Sequence, residues 1–291
     1  MIKRLKNHQI NKTKWDEVIS ESDNPYVYLL SWYLDIISPE WEALIYEDYK
    51  NLMPLPVKRK WGIPYLIQPL YCQKIGITGI GVKNTVAGKF YDKIFQNFPY
   101  INIQVRDALG LEKKKYLKGR VNYTIDLTPA FSELEKDLSE NTRRNIKKAS
   151  DASLKLSDCT CQEFLTLSET WLLGVNKEQL DTFGQLLSEC NKREITRIYK
   201  VSDVRGEIVA AACFLEWNFQ ILYLGGFNTA NGKRFSAMFL IMDHIMKKYA
   251  SSGYLLDFEG SNIEGVARFF KGFGGKSSYY YQLKTVLGFR L

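Results

Sequence analysis

Three runs of strand length follow one another in the second half of the chain, EITRIYKVSD, EIVAAACFLEW and FQILYLGGFN, the first two separated by a turn at Arg205 and Gly206. Such a series predicts an antiparallel meander. Two helical segments precede it, CQEFLTLSETWLL and KEQLDTFGQLLSECNKR. After it come SAMFLIMDHIMKKYASSG, read as a helix ended by Gly253, the strand YLLDFEGS, the short helix NIEGVARFFKGFGG and a last strand, SSYYYQLK. Strands and helices alternating in this way predict an α/β (α+β) fold with mixed, mostly antiparallel sheets flanked by helices.

The first half has a similar order. Residues 13–22 read as a helix, and the apolar run YVYLLSWYLDII (26–37) as a strand leading into a helix. WEALIYED, NLMPLPVKRK and YLIQPLYCQKIGITG read as short strands of a meander, with breaks at 48–51 and around Gly62 and Pro64. GKFYDKIFQNF is an amphipathic helix and YINIQVRD an alternating strand. Beyond the polar stretch GLEKKKYLKGR, VNYTIDL reads as a strand and FSELEKDLSENTRRNIKKAS as one charged helix, N-capped by Thr128 ahead of Pro129. Two halves with one element order in 291 residues point to a duplicated fold, with domains at 1–125 and 126–291.

At 45% hydrophobic and 14% aromatic residues, the chain holds enough core material to fold without disulfide or metal staples. Its first residues are polar, and no stretch reaches the roughly 18 uncharged apolar residues of a membrane span, which places the expected location in the cytoplasm. Five scattered cysteines without CxxC spacing fit a reducing compartment, and the Cys159/Cys161 pair alone fixes no tetrahedral site. No metal is expected. The two histidines, His8 and His244, lie far apart, which excludes a multi-histidine metal centre and leaves few candidates for a His-based triad. His244 sits in an apolar helical run and reads as a packed or surface helix residue. A net charge of +8 favours phosphate-rich partners: nucleic acid, coenzyme A or an anionic membrane.

The element order of the second half is that of a GNAT acyltransferase domain. The segments VNYTIDLTPAFSELEKDLSENTRRNIKKA and LLDFEGSNIEGVARFFKGFGG resemble those of Fem-type peptidoglycan bridge aminoacyltransferases, which are built of two GNAT-like domains in tandem, here with a degenerate first copy. The resemblance implies transfer of an aminoacyl group from aminoacyl-tRNA to an amine of a peptidoglycan precursor. A lipid-linked precursor would add peripheral membrane contact. Broader relatives use acyl-CoA, so the co-substrate is either donor and no cofactor is permanently bound.

Acyl transfer to an amine needs a clamp for the donor, a group that stabilises the tetrahedral oxyanion, and a route for the departing proton. For the clamp, Asn231, Gly232, Lys233, Arg234 and Ser236 precede a helix, where free backbone N–H groups and two cations would face an anion; the alternative is a polar turn capped by serine. This segment has one glycine and lacks the repeated glycine spacing of a usual pyrophosphate loop. In FFKGFGG, Lys271 stands among aromatics and glycines that would desolvate it and admit a substrate. The resemblance assigns it a charge-stabilising role, against that of a surface lysine at a helix end. Phe269 and Phe270 occupy the place of a common catalytic tyrosine, which leaves Tyr279, Tyr280 or Tyr281 to donate a proton, with Tyr280 on the opposite strand face from its neighbours. Asp257 and Glu259 fall on one face of the DFEGS strand, to take the amine proton or position the acceptor, or else to pair with Arg268 or Lys271. Finally, Arg143, Arg144, Lys147 and Lys148 form an i to i+4 basic stripe, joined by Lys113, Lys114, Lys115 and Lys118, that would contact donor phosphates or simply face solvent.

The functions these residues allow are therefore Fem-like aminoacyl transfer to a cell-wall precursor, acyl-CoA-dependent N-acylation of a sugar or small amine, and a non-catalytic module of the same fold.

Overall fold

The computed structural model describes residues 1–111, 116–171, 175–260 and 263–286. Lys113, Lys114 and Lys115 lie outside the described residues, as does Ser261 at the end of the DFEGS segment. The chain divides into two compact units, Met1–Arg120 with Tyr279–Leu291, and Val121–Ser278.

In the first unit, β1 (Ile2–Lys6), α1 (Lys12–Glu21) and α2 (Ser31–Ile37) precede β2 (Glu42–Tyr46) and β3 (Asn51–Leu55). The run 26–37 contains no strand. Val27–Leu29 is a 3-10 turn leading into α2, and it is buried on every side, so its unbroken apolar sequence carries no period that separates strand from helix. Trp15 and Trp41 meet edge to face at 4.8 Å in this core, and each indole N–H is satisfied, by the Leu29 carbonyl at 2.8 Å and by Asp35 at 2.9 Å. NLMPLPVKRK, read as one strand, is two. Pro56 separates β3, antiparallel to β2, from β4 (Val57–Lys60), which forms a hairpin with β5 (Ile63–Ile67). The short β6 (Thr78–Gly79), α3 (Asn84–Asn97) and β7 (Tyr100–Val105) follow, and β7 pairs parallel to β5.

The second unit is built on the order β8 (Leu117–Asp126, of which Val121 onward belongs here), β13 (Leu255–Asp257), β12 (Gln220–Asn228), β11 (Ile208–Trp217), β10 (Thr196–Ser202) and β9 (Lys155–Asp158). The meander read from sequence is β10 to β12. The middle strand β11 is buried from Val209 to Leu215, and α9 (Ala237–Tyr249) packs on it and on β10, while α7 (Lys177–Lys192) packs on β10 and on α6 (Cys161–Trp171). His244 on α9 lies edge to face with Tyr199 at 4.8 Å, as a packed helix residue. Among the described residues, no group of cysteine, histidine and carboxylates could hold a metal.

The expected single helix over 131–150 is broken. α4 (Phe131–Leu134) and a 3-10 turn end at Leu138, and Ser139 starts α5 (Glu140–Asp151) by accepting the Thr142 N–H at 3.1 Å. Thr128 is not the cap: Ala130 occupies that place, and the Thr128 N–H donates to Asp126. α9 ends at Tyr249 with Ala250 as its C-cap, so Gly253 serves a later turn at φ +76°. The chain completes the second unit with α8 (Ala230–Arg234), α10 (Glu264–Gly272) and the start of β14 (Lys276–Val286), whose residues from Tyr281 pair with β7 in the first unit.

Among the described residues each unit has a parallel strand pair reached through a helix, β5–α3–β7 and β12–α9–β13, beside antiparallel pairs. The chain is a mixed α/β protein with mixed sheets flanked by helices. No described helix is long and apolar enough to cross a membrane.

Candidate active site

β13 lies parallel to β12 only from Gln220 to Leu222, opposite Leu255 to Asp257. Past that point the strands part. β12 continues beside β11 to Asn228, through a bulge opposite Cys213/Phe214 and through Gly225 and Gly226. The chain after Asp257 turns away instead, with Glu259 and Gly260 both at positive φ. Along Tyr223–Asn228 one edge of β12 therefore faces no strand among the described residues, and backbone N–H and C=O groups line the opening. Its base is aromatic. Phe270 of α10 stacks on Phe258 at 4.3 Å and meets Tyr223 at 6.0 Å. Burial pushes the Tyr223 phenol above its ordinary pKa, so at neutral pH it keeps the proton it would donate. Sequence reasoning passed over this edge, although the paired glycines inside an apolar strand mark a bulge or a close backbone approach.

Asp257, expected on the face of a strand, is its last residue and is fully buried. Its Oδ1 accepts from Asn122 Nδ2 at 2.9 Å and from the Glu259 N–H at 2.8 Å. Glu259 does not share the strand face, because the strand has ended and the backbone there is left-handed at φ +58°. The two carboxylates are neighbours through a turn that Asp257 fastens.

The basic stripe is divided. Arg143 donates from Nη2 to the carbonyls of Glu135 and Lys136, both at 2.9 Å, and so serves the turn before α5. Arg144, Lys147 and Lys148, at i, i+3 and i+4, line an open cleft of about 460 Å³ with Asp151, Ala152 and Phe235. The Ser236 hydroxyl donates to Asn145 Oδ1 at 2.6 Å, tying the start of α9 to α5, and Arg234 lies over the Phe235 ring at 5.3 Å. Two features read separately from sequence, the 231–236 segment and the stripe, are thereby brought to one place.

The 231–236 segment is not an open loop. Asn231, Gly232, Lys233 and Arg234 lie in α8, capped by Thr229, and the N–H groups of Gly232, Lys233, Phe235 and Ser236 all bond within the segment or to Thr229. A Cβ on Gly232 would come within 2.2 Å of the Val209 carbonyl oxygen, so this glycine permits close packing on β11. What the segment offers to solvent is side chains: Asn231, Lys233 and Arg234 are exposed, while Ser236 is buried.

Lys271 is exposed in the last turn of α10, and the aromatics beside it, Phe270 and Phe273, point into the core. The desolvation expected from its aromatic neighbours is absent within this unit. Nor do the nearby glycines open a path for substrate. A Cβ on Gly272 would stand 2.5 Å from Thr142 Oγ1, and the Ser139 N–H donates to the Gly272 carbonyl at 2.8 Å, so this glycine seats α10 against the start of α5. Tyr280 is buried, with Tyr279 exposed beside it as alternation requires, and it belongs to the first unit.

No family model matches the sequence, and no curated protein matches it. The fold does have solved counterparts. The structure of FemX aligns at a TM-score of 0.69 over 97% of both chains with 11% identity. The C-terminal domain of a putative lysylphosphatidylglycerol synthetase from Agrobacterium fabrum aligns at 0.59 with 13% identity, over 96% of this chain and 92% of that one. A GCN5-related glucosamine N-acetyltransferase region of a fungal multi-domain β-N-acetylglucosaminidase aligns at 0.50 with 9% identity, over 97% of this chain and 38% of that one. The chain has a Fem-like and GNAT-like fold.

Proposed function

We propose that this protein is an acyltransferase that moves an aminoacyl group from aminoacyl-tRNA onto an amine of a cell-wall precursor. The observation that carries the reading is the cleft where Arg144, Lys147 and Lys148 meet the α8–α9 junction, a cationic seat for the phosphates of a donor. The likeness to FemX along the whole chain supports the aminoacyl form of the reaction.

In this reading the phosphates rest on Arg144, Lys147 and Lys148, with Lys233 and Arg234 at the rim and Asn231, Gly232 and Ser236 shaping the junction. The acyl carbonyl lies along the open edge of β12, where a backbone N–H faces the oxygen that becomes negative. The acceptor nitrogen attacks the carbonyl carbon and the bond to the carrier oxygen breaks. Glu259 or the buried Asp257 receives the amine proton, and Tyr223 returns one to the leaving oxygen. Lys271 adds positive charge near the tetrahedral oxyanion.

An acyl-CoA donor and a sugar amine acceptor form the second reading, favoured by the glucosamine N-acetyltransferase region among the similar folds. Isothermal titration with charged tRNA, coenzyme A and acetyl-CoA separates the two. Binding of charged tRNA alone supports the first reading and binding of acetyl-CoA the second. Absence of all three, with Lys271→Ala indistinguishable from wild type in any transfer assay, overturns both in favour of a non-catalytic module.

A further inference from the structure

The β4–β5 hairpin turns through two residues, Trp61 and Gly62, between the paired Lys60 and Ile63. Both turn residues have positive φ, +53° and +78°, a geometry that favours Asn-Gly. A tryptophan here is held in a left-handed conformation and is 89% exposed, so folding buries almost none of its apolar surface. Cross-strand register puts Lys58 opposite Tyr65 and Lys60 opposite Ile63, so these four share one face, which Ile67 extends. The opposite face carries Val57 and Leu66, both buried, and Arg59, which is paired with Glu40 and Glu42. Among the described residues Lys58 and Lys60 have no acidic partner, and Lys60 lies over the Trp61 ring at 4.9 Å. Ile63 is 53% exposed and Ile67 36%.

An unpaired cationic pair, an exposed indole at a tip and aliphatic side chains beside it match the boundary of a bilayer bearing negative headgroups. The indole sits among the headgroups, the isoleucines reach the acyl edge and the ammonium groups meet phosphates. Nucleic acid would use the cations and the indole but leave the isoleucines in water. We propose that this hairpin docks the protein peripherally on membranes rich in anionic phospholipid. The inference is independent of the transfer reaction, because no acyl donor or acceptor enters it.

The test is co-sedimentation of the full chain with vesicles of phosphatidylcholine alone and of phosphatidylcholine mixed with phosphatidylglycerol. The protein sediments with the mixed vesicles only. Trp61→Asn combined with Ile63→Thr restores a favoured turn pair, so the variant keeps its fold, yet its partition falls by more than about ten-fold. Lys58→Gln and Lys60→Gln each lower it about five-fold and together remove the preference for phosphatidylglycerol. The proposal is overturned if the wild type ignores mixed vesicles, if the Trp61/Ile63 variant binds them equally, or if that variant loses uncharged tRNA while keeping vesicle binding.

Discussion

Glu216 is gripped by three donors, Arg197 Nε and the Tyr249 hydroxyl at 2.6 Å each and the Tyr254 hydroxyl at 3.1 Å. Burial pushes its carboxyl upward, but the Tyr249 hydrogen bond and the Arg197 charge outweigh that and hold it below the ordinary carboxylate range. A depressed folded value means that stabilisation is complete above the unfolded pKa, about 4.3, and is lost as pH falls through the lower folded one. Glu216→Gln should therefore cost about 1–3 kcal/mol at pH 7 and much less near pH 3, read by urea unfolding at both. An equal gap at the two pH values would show that charge is not the cause. At Gly272 the cause is space. Gly272→Ala should destabilise by about 1–3 kcal/mol, with part regained when Thr142→Ala removes the atom it strikes; additive losses would refute the clash. That glycine shows the limit of sequence reading at this scale: FFKGFGG is legible as a helix end, but whether its glycines face a ligand or another helix depends on what packs there. Tyr223 was hidden for the same reason, since its place beside the open edge is set by Phe270, 47 residues further on.

Among the elements, those of the meander were legible because turn residues punctuate them and their lengths suit strands, whereas the 26–37 run and the 131–150 segment were not. The first is apolar but for Ser31 and Asp35, and the second carries charge on most of its turns on both sides of Leu138, so neither pattern separates the elements inside it. The break before α5 decides the chemistry of its stripe, because it presents the carbonyls of Glu135 and Lys136 to Arg143 and leaves Arg144, Lys147 and Lys148 to the cleft. Four cations at helical spacing look alike in sequence. The structure separates their expected effects: Arg143→Gln should lower stability by about 0.5–1 kcal/mol and leave donor binding unchanged, while the paired change Arg144→Gln and Lys147→Gln should do the reverse. Ser139→Ala, which removes the cap of α5, should cost about 1 kcal/mol. Thermal unfolding with titration of the same variants checks all three, and a loss of donor binding in Arg143→Gln would restore it to the stripe.

For the molecule as a whole, a net charge of +8 supplies a field that draws in any polyanion, so attraction alone does not identify a site. Salt dependence does. If Arg144, Lys147 and Lys148 seat donor phosphates, the logarithm of the tRNA binding constant should fall with the logarithm of salt at a slope of about −2 to −3. The Arg144→Gln/Lys147→Gln variant should then lose close to one unit of that slope per residue, whatever the tRNA sequence. Binding through the overall field would change little, since two of 40 basic residues carry only a small part of it. Measuring the slope for both proteins by filter binding across a salt series thus sets a local seat against a diffuse one. An unchanged slope in the variant would remove the cleft from the donor path and leave the open edge of β12 to be matched with a different carrier.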